Sequence, residues 1–109
     1  MHRVLITGLG GFVGRHLGVL LAKAGDGEVF GSVVKADLGR ELPLPEDHVL
    51  ACDLLDAGAV TRLIDTVRPG RIYHIAGVAE VGRSWEDPGP AYRVNVLGQL
   101  NLLQAVVAI

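Results

Sequence analysis

Several features are scarce in this chain of 109 residues, and each scarcity excludes a class of protein. The single cysteine, Cys52, cannot form an internal disulfide, so we expect a small buried thiol and a reducing compartment. The net charge of -2 gives no electrostatic attraction to nucleic acid or to an anionic membrane. No apolar run approaches the about 18 residues that span a bilayer, and the first strand begins too early for a cleavable signal. The composition therefore predicts a cytoplasmic globular chain, long enough for one small domain.

Glycine, in contrast, is abundant, with 15 residues, and three of them are regularly spaced near the N-terminus. An apolar stretch ends in Thr7 and Gly8, and Gly11 and Gly14 follow where a helical pattern begins. Gly8 allows a tight turn, Gly11 lets bare main-chain N–H groups approach a pyrophosphate, and Gly14 lets the helix pack close to the strand. The helix N-terminus adds unpaired donors and the positive end of its dipole. The motif predicts a dinucleotide site rather than a merely structural turn.

Strands and helices alternate along the chain. Hydrophobic periodicity predicts strands over 3–7, 28–34, 49–51 and 71–75, and a polar loop over 35–47. A first helix over 12–24 should end at Gly25, and a second should begin after a cap at Asp56 and end at Pro69-Gly70. The apolar residues expected on their packed faces are Val13, Leu17, Leu20 and Leu21 in the first helix and Val60, Leu63, Ile64 and Val67 in the second. This alternation predicts an α/β fold with a doubly wound parallel sheet.

A third helix is predicted over 91–108, after Pro90. It is apolar on more than one side and should therefore be buried on several sides. The sequence stops inside this helix. We expect residues 1–109 to be the N-terminal part of a dinucleotide-binding domain, truncated to about four strands and three helices. The remainder of that domain and a substrate domain would lie outside it.

Charged residues follow the second and third predicted strands, where an open parallel sheet binds its ligand. A ribose-binding acid is expected about 20 residues after the glycines, but Lys35 stands there and could pair with a 2′-phosphate. This favours NADP over NAD, although Lys35 could be a solvated loop charge and Asp37 could fold back onto the ribose. Asp53 would be costly to leave unpaired and could accept from an adenine amino group. Its alternative role is a helix cap, which Asp56 could share.

Other polar residues give weaker functional signals. We interpret His74 as a packed histidine with one backbone hydrogen bond rather than as a site residue. No other His or Cys lies near it at ligand spacing, so no metal site is predicted. Ser84 has no His or Asp partner in the sequence pattern of a nucleophile elbow, so the sequence does not support a hydrolase. Trp85 is expected to anchor its loop rather than to stack on a base.

Four motifs occur in one order across nearly the whole chain. They are Thr7-Gly8-x-x-Gly11-Phe12-Val13-Gly14, Asp53-Leu54, Tyr73-His74-Ile75-Ala76-Gly77, and Asn95-Val96-x-Gly98 running into Asn101-Leu102-Leu103. In these motifs the chain resembles the extended short-chain dehydrogenase/reductases, which include NAD(P)-dependent sugar-nucleotide epimerases, dehydratases and keto-reductases. Two further stretches, Val81-x-x-Ser84-Trp85-x-x-Pro88 and Val33-Val34-Lys35, look most like GDP-mannose 4,6-dehydratases and GDP-4-keto-6-deoxymannose reductases.

The resemblance implies a Rossmann-type fold, a nicotinamide cofactor (NADP, or alternatively NAD) and a nucleotide-sugar substrate. It implies no nucleic-acid or membrane partner, and a homodimer or tetramer formed through helix 91–108. By matching position it assigns roles to these residues: Thr7, Gly8, Gly10, Gly11, Phe12, Val13 and Gly14 on the pyrophosphate, Asp53 and Leu54 on the adenine, Ala76 and Gly77 on the ribose-nicotinamide side, and Asn95 near the active site.

The chain also departs from this family. The catalytic Tyr-x-x-x-Lys pair is absent from residues 1–109, because Gly77 and Val96 occupy the fourth positions after Tyr73 and Tyr92. No catalytic residue is therefore predicted in this stretch, which alone should be inactive. Ala79-Glu80 replace small hydroxyl residues, which weakens the assignment to a subfamily.

The resulting prediction is the cofactor-binding portion of an NAD(P)-dependent nucleotide-sugar epimerase, dehydratase or 4-keto-reductase, that is, an oxidoreductase or a lyase. A non-catalytic NAD(P)-binding or sensing module is the alternative, and a Tyr-x-x-x-Lys pair downstream would distinguish the enzyme from it. A purely structural α/β domain is the third interpretation. That domain would show no cofactor-dependent change in thermal stability.

Overall fold

The computed structural model describes residues 2–25, 27–75 and 93–108, with side chains described from residue 96 in the last range. Its strands are β1 (His2–Thr7), β2 (Gly27–Val33), β3 (Val49–Ala51) and β4 (Arg71–His74). Its α-helices are α1 (Phe12–Ala24), α2 (Ala57–Val67) and α3 (Gln99–Ala108). A π-helical segment (Arg93–Gly98) leads into α3, and 3₁₀ turns span Lys35–Asp37 and Glu46–His48.

The strands form one parallel sheet in the order β3-β2-β1-β4. The chain winds outward from β1 to β3 and then returns to the other side of β1. At the carboxyl edge Thr7 lies between Ser32 of β2 and His74 of β4. The predicted α/β fold with a parallel sheet is confirmed, and the edge beside β1 is where such sheets bind ligands.

Alternate residues of β1 supply two separate cores, because successive side chains of a strand point to opposite faces. Leu5 packs in the core that α2 and α3 cover, and Ile6 packs in the core on the α1 side. Both side chains are completely buried. Helices on both faces make the sheet doubly wound.

Helix α2 follows its predicted pattern throughout. The Asp56 carboxylate accepts from the Ala59 N–H at 3.1 Å and so caps the helix. The four residues predicted to form its packed face are all buried: Val60, Leu63, Ile64 and Val67. Each buried side chain of this kind contributes about 1.5–3 kcal/mol. The helix ends at Val67, where Arg68 takes a left-handed conformation with φ 50°.

Helix α1 has its predicted bounds and is capped by Gly25, but two of the four residues predicted for its packed face are exposed. Val13 is 57% exposed and Leu20 is 66% exposed, whereas Gly14 and Gly18 are buried. A Cβ at Gly14 would overlap the Gly8 carbonyl oxygen, so the helix axis lies too close to the β1–α1 turn for side chains there. Leu17 and Leu21 keep their predicted packing at the margin of this contact.

The remaining differences concern ends and loops. Strand β2 begins and ends one residue earlier than predicted, and β4 ends at His74. The loop after β2 was predicted to be polar, but one of its residues, Leu44, is buried in the core on the α1 side. Pro90 and the predicted first residues of the third helix, 91 and 92, lie outside the described residues.

Helix α3 is buried on one side only within the part of the chain that the structure describes. Leu102 and Ala105 pack against α2, while Leu100, Leu103 and Val107 are exposed. The described residues therefore cover only one side of α3, whereas the sequence predicted burial on several sides. Among the described helices, none combines the length and the hydropathy that a membrane span requires.

Candidate functional site

The turn after β1 is fixed by its own backbone and by β2. Gly8 has φ 81°, a conformation that favours glycine. The N–H groups of Gly8 and Leu9 both donate to the Ser32 carbonyl oxygen, at 3.1 Å each. The turn is therefore held against the end of β2 before any ligand is present.

The amide predicted to face the pyrophosphate is engaged inside this turn. The Gly11 N–H donates to the Gly8 carbonyl oxygen at 3.1 Å. Gly11 caps α1 without a side chain, and the first-turn amides of Phe12, Val13 and Gly14 have no main-chain acceptor in the helix. The donors that remain for an anion are therefore those three, one residue further on than expected.

A cleft of about 600 Å³ lies beside the turn, at the carboxyl ends of β2 and β3. It brings together four of the predicted site residues, Gly8, Lys35, Asp53 and Leu54. Its other walls are mostly apolar and are formed by Ser32, Val33, Val34, Ala51, Cys52, Leu55, Asp56 and Ala59. An apolar cleft with a few polar groups at its rim suits an aromatic base attached to a polar sugar.

Residues of both charges follow β2. Lys35 is exposed at the cleft and has no ion-pair partner among residues 2–25, 27–75 and 96–108. Asp37 lies against Gly10, since a Cβ at Gly10 would overlap its carboxylate. The Arg40 guanidinium pairs with that carboxylate at 2.9 Å. Asp37 thus folds back onto the glycine turn with Arg40 beside it, and its contact with a ribose stays a prediction.

The loop after β3 places Asp53 differently from expectation. Asp53 is exposed, so its carboxylate is solvated and the expected cost of leaving it unpaired does not arise. Its Oδ1 accepts from the Leu55 N–H at 3.0 Å, and Asp56 is the residue that caps α2. The helix-cap role proposed for Asp53 is wrong. Asp53 also lines the cleft.

Thr7 and His74 join β1 to β4 at the same edge. Thr7 Oγ1 lies 2.6 Å from His74 Nδ1 and accepts from the Ile75 N–H at 3.1 Å. The described partner of the His74 ring is thus a hydroxyl, and the backbone hydrogen bond expected from the sequence stays a prediction. Burial lowers the pKa of His74, which favours the neutral ring with Nδ1 accepting the Thr7 proton.

Cys52 is a buried thiol at the wall of the cleft, as predicted. Burial raises its pKa, and the charges of Asp53 and Asp56 raise it further. The thiol is therefore protonated near neutral pH and acts as a small apolar residue.

Three residues important to this geometry were not singled out from the sequence as site residues. Ser32 accepts both turn amides, Arg40 pairs with Asp37, and Asn101 donates to the Leu54 carbonyl oxygen at 2.8 Å. The position of Asn101 in the motif Asn101-Leu102-Leu103 was the one available signal. The side chain of Asn95 and all of Ala76, Gly77, Ser84 and Trp85 lie outside the described residues.

Within the described residues, no three His, Cys, Asp or Glu side chains are grouped as metal ligands.

The parallel sheet, its strand order and the glycine turn at its carboxyl edge define a Rossmann-fold domain. More narrowly, residues 4–108 match the model of the NAD dependent epimerase/dehydratase family, and the chain belongs to that family.

Relatives of known activity agree with this assignment. GDP-6-deoxy-D-mannose reductase of Pseudomonas aeruginosa is 35% identical over 106 residues, which are 97% of this chain and 30% of the reductase. UDP-glucuronate 4-epimerase 1 of Arabidopsis thaliana is 35% identical over 109 residues, covering 93% of this chain and 25% of the epimerase. The chain thus spans between a quarter and a third of the length of these two relatives.

Solved structures show the same fold. UDP-glucose 4-epimerase of Thermus thermophilus, in complex with NAD, is 40% identical with a TM-score of 0.78, over 94% of this chain and 33% of that one. An epimerase of Methanothermobacter thermautotrophicus is 30% identical with a TM-score of 0.80, over 99% of this chain and 32% of that one.

Proposed function

We propose that residues 1–109 are the N-terminal, cofactor-binding portion of an NAD(P)-dependent enzyme that acts on a nucleotide sugar as an epimerase, dehydratase or 4-keto-reductase. One observation carries the proposal. The glycine turn, the uncapped start of α1 and an apolar cleft lie side by side at the carboxyl edge of the sheet. Relatives that span three to four times this length supply the activities.

The residues present fit a dinucleotide. The first-turn amides of Phe12, Val13 and Gly14 would hold the pyrophosphate, because Gly11 leaves them uncapped and its own backbone leaves room for a ligand. Leu54 and the apolar wall of the cleft would pack against the adenine, and Asp53 Oδ2 would accept from its amino group. Thr7, Gly8 and Gly10 would shape the turn, and Ala76, Gly77 and Asn95 are proposed for the nicotinamide side on the resemblance alone.

The bound nicotinamide would exchange a hydride with a sugar carbon, while the protein supplies orientation and the electrostatic field. No residue of this stretch is proposed to move the sugar proton. The family's Tyr-x-x-x-Lys pair would do so from outside it. The 109-residue chain by itself should therefore bind cofactor without turnover, and measurable dehydrogenase or epimerase activity from it would contradict the proposal.

For the cofactor we propose NADP in preference to NAD. Lys35 lines the cleft without an ion-pair partner in the part of the chain that the structure describes, and Arg40 is bound to Asp37. A 2′-phosphate would attract both cations, whereas Asp37 is the residue that a ribose 2′-hydroxyl would engage. The relatives solved with NAD make NAD the competing choice.

Two substitutions distinguish these cofactors in the whole protein. Lys35→Ala should weaken NADP binding while leaving NAD binding unchanged, measured as Kd by calorimetry. Asp37→Asn should weaken NAD binding more than NADP binding. The exposed Lys23→Ala is the matched charge control. An NADP-to-NAD affinity ratio that Lys35→Ala does not change would show that Lys35 is only a surface charge.

The sensing module remains the second candidate, because all the described geometry concerns cofactor binding. It predicts cofactor binding with the same residues but no turnover on any nucleotide sugar in the whole protein. The enzyme proposal predicts reduction of bound NADP by a sugar nucleotide, visible as absorbance of the reduced nicotinamide. GDP- and UDP-linked hexoses are the probes, since the relatives include enzymes of both classes.

The exposed leucines of α3 support a homodimer or tetramer through this helix. Leu100 and Leu103 are both exposed on it. Leu103→Glu should shift the protein to monomers in sedimentation velocity, and Gln104→Glu on the same helix is the control. A dimer that survives Leu103→Glu would place the interface elsewhere. The buried thiol of Cys52 supports a reducing compartment, and we propose the cytoplasm.

A further inference from the structure

One polar side chain of helix α3 forms a hydrogen bond with the loop between β3 and α2, which lines the cleft. Asn101 Nδ2 donates to the Leu54 carbonyl oxygen at 2.8 Å, across 47 residues of sequence. Asparagine is a poor helix former, and the residues beside it in this helix, Leu100 and Leu102, are apolar. Helix formation does not explain an asparagine at this position, whereas the hydrogen bond to the loop after β3 does.

A second contact places Gly98, at the end of the π-helical segment that leads into α3, against Leu54. A Cβ at Gly98 would lie 3.2 Å from Leu54 Cβ, so the backbone of the π-helical segment approaches Leu54 closely. Leu102 and Ala105 pack in the core that contains Leu54. Single π-helical turns occur frequently at functional sites. Leu54 is thus enclosed by α3 and held at its carbonyl oxygen.

The peptide unit between Leu54 and Leu55 is held on both sides. Its carbonyl oxygen accepts from Asn101, and its N–H donates to Asp53 Oδ1 at 3.0 Å. Because a peptide unit is planar and rigid, fixing the carbonyl fixes the direction of the N–H. The N–H in turn orients the carboxylate of Asp53, a residue that lines the cleft.

We propose that Asn101 is a positioning residue that sets the orientation of Asp53 for the adenine of the cofactor. This inference rests on the proposed function, because it assigns the cleft to the adenosine half. Loss of the amide leaves the Leu54 carbonyl without its donor and frees the peptide unit to rotate. Adenine binding should then weaken, while the nicotinamide half of the site is unaffected.

The test uses two half-ligands, 5′-AMP and nicotinamide mononucleotide, titrated by calorimetry into the whole protein. Asn101→Ala should raise the Kd for AMP about tenfold, equivalent to about 1.4 kcal/mol, with the Kd for nicotinamide mononucleotide unchanged. Gln104→Ala, an exposed amide on the same helix, should change neither. Amide hydrogen exchange at Leu55 should accelerate in Asn101→Ala, because its acceptor is no longer held in place.

An AMP affinity that Asn101→Ala leaves unchanged overturns the inference. So does an equal loss for both half-ligands, which would indicate general destabilisation. If Asn101→Ala does not fold, Gly98→Ala replaces it, since its methyl displaces Leu54 by a few tenths of an ångström. Gly98→Ala should weaken the binding of AMP but not that of nicotinamide mononucleotide. An AMP affinity equal to that of the wild type would again overturn the proposal. Failure of the wild type to bind AMP, NAD or NADP would instead refute the proposed function.

Discussion

Gly11 and Gly14, the last two glycines of the motif, should respond differently to a single added methyl group. At Gly11 the backbone has φ -80° and ψ 172°, which any residue adopts, and a Cβ would lie 3.5 Å from its nearest neighbour, the Gly8 carbonyl oxygen. This is ordinary van der Waals contact. At Gly14 a Cβ would overlap that same oxygen, which belongs to the backbone and cannot move aside. The fold therefore requires Gly14, whereas only a ligand requires Gly11.

The magnitudes separate the two roles. Gly11→Ala should change the stability of the free protein by less than about 1 kcal/mol, because the restriction of the unfolded chain by alanine is opposed by the preference for glycine over alanine at a helix N-cap. Gly14→Ala should destabilise it by about 1–3 kcal/mol or more through overpacking. Cofactor at a hundredfold excess over Kd stabilises the wild type by about 2.7 kcal/mol. Gly11→Ala should lose most of that gain, since its methyl lies beside the first-turn amides of α1.

The assay is a thermal melt of wild type, Gly11→Ala and Gly14→Ala, each with and without NADP. The expected pattern for Gly11→Ala is a midpoint close to that of the wild type without cofactor and no rise with cofactor. For Gly14→Ala it is a lower midpoint alone. A Gly11→Ala protein that shows the full cofactor-dependent rise would refute the placement of the pyrophosphate at this turn.

Three further outcomes test the local chemistry. Asp56→Ala should destabilise the protein by about 1 kcal/mol in urea denaturation, through loss of the α2 cap, and an unchanged midpoint would contradict that role. The raised pKa of Cys52 predicts slow reaction with a thiol reagent at pH 7 that accelerates only at alkaline pH, so rapid labelling at pH 7 would disprove its burial. Because burial lowers the pKa of His74 from 6.5, the unfolded state binds more protons below that value and stability should fall as the pH drops. His74→Gln should flatten this dependence, and an equal slope in the variant would exclude His74 as its source.

Elements defined by local pattern were predictable from the sequence. The bounds of α1, the Asp56 cap and the buried face of α2 all depend on residues within a few positions of one another. Capping and helical periodicity act over that range, and no distant contact is needed to specify them. The glycine spacing likewise identified the turn, because only a sharp bend followed by a close helix uses Gly8 and Gly14 in this way.

The packing of α1 was not predictable from the same pattern. Val13 and Leu20 lie on an apolar stripe by spacing, yet they are exposed, because the helix meets the turn through its glycines. How closely two backbones approach depends on both partners, and hydrophobic periodicity describes only one of them.

What the sequence by itself determined is the alternation of strands and helices, the cap, the buried face of α2 and the presence of a glycine turn at the start of a helix. Only the tertiary structure decided which side chains meet at the carboxyl edge of the sheet. Asp37 lies on Gly10, His74 on Thr7 and Asn101 on the Leu54 carbonyl oxygen. The last two contacts join residues 67 and 47 positions apart, and such pairs form only when the strand order and the helix placement have set their distances.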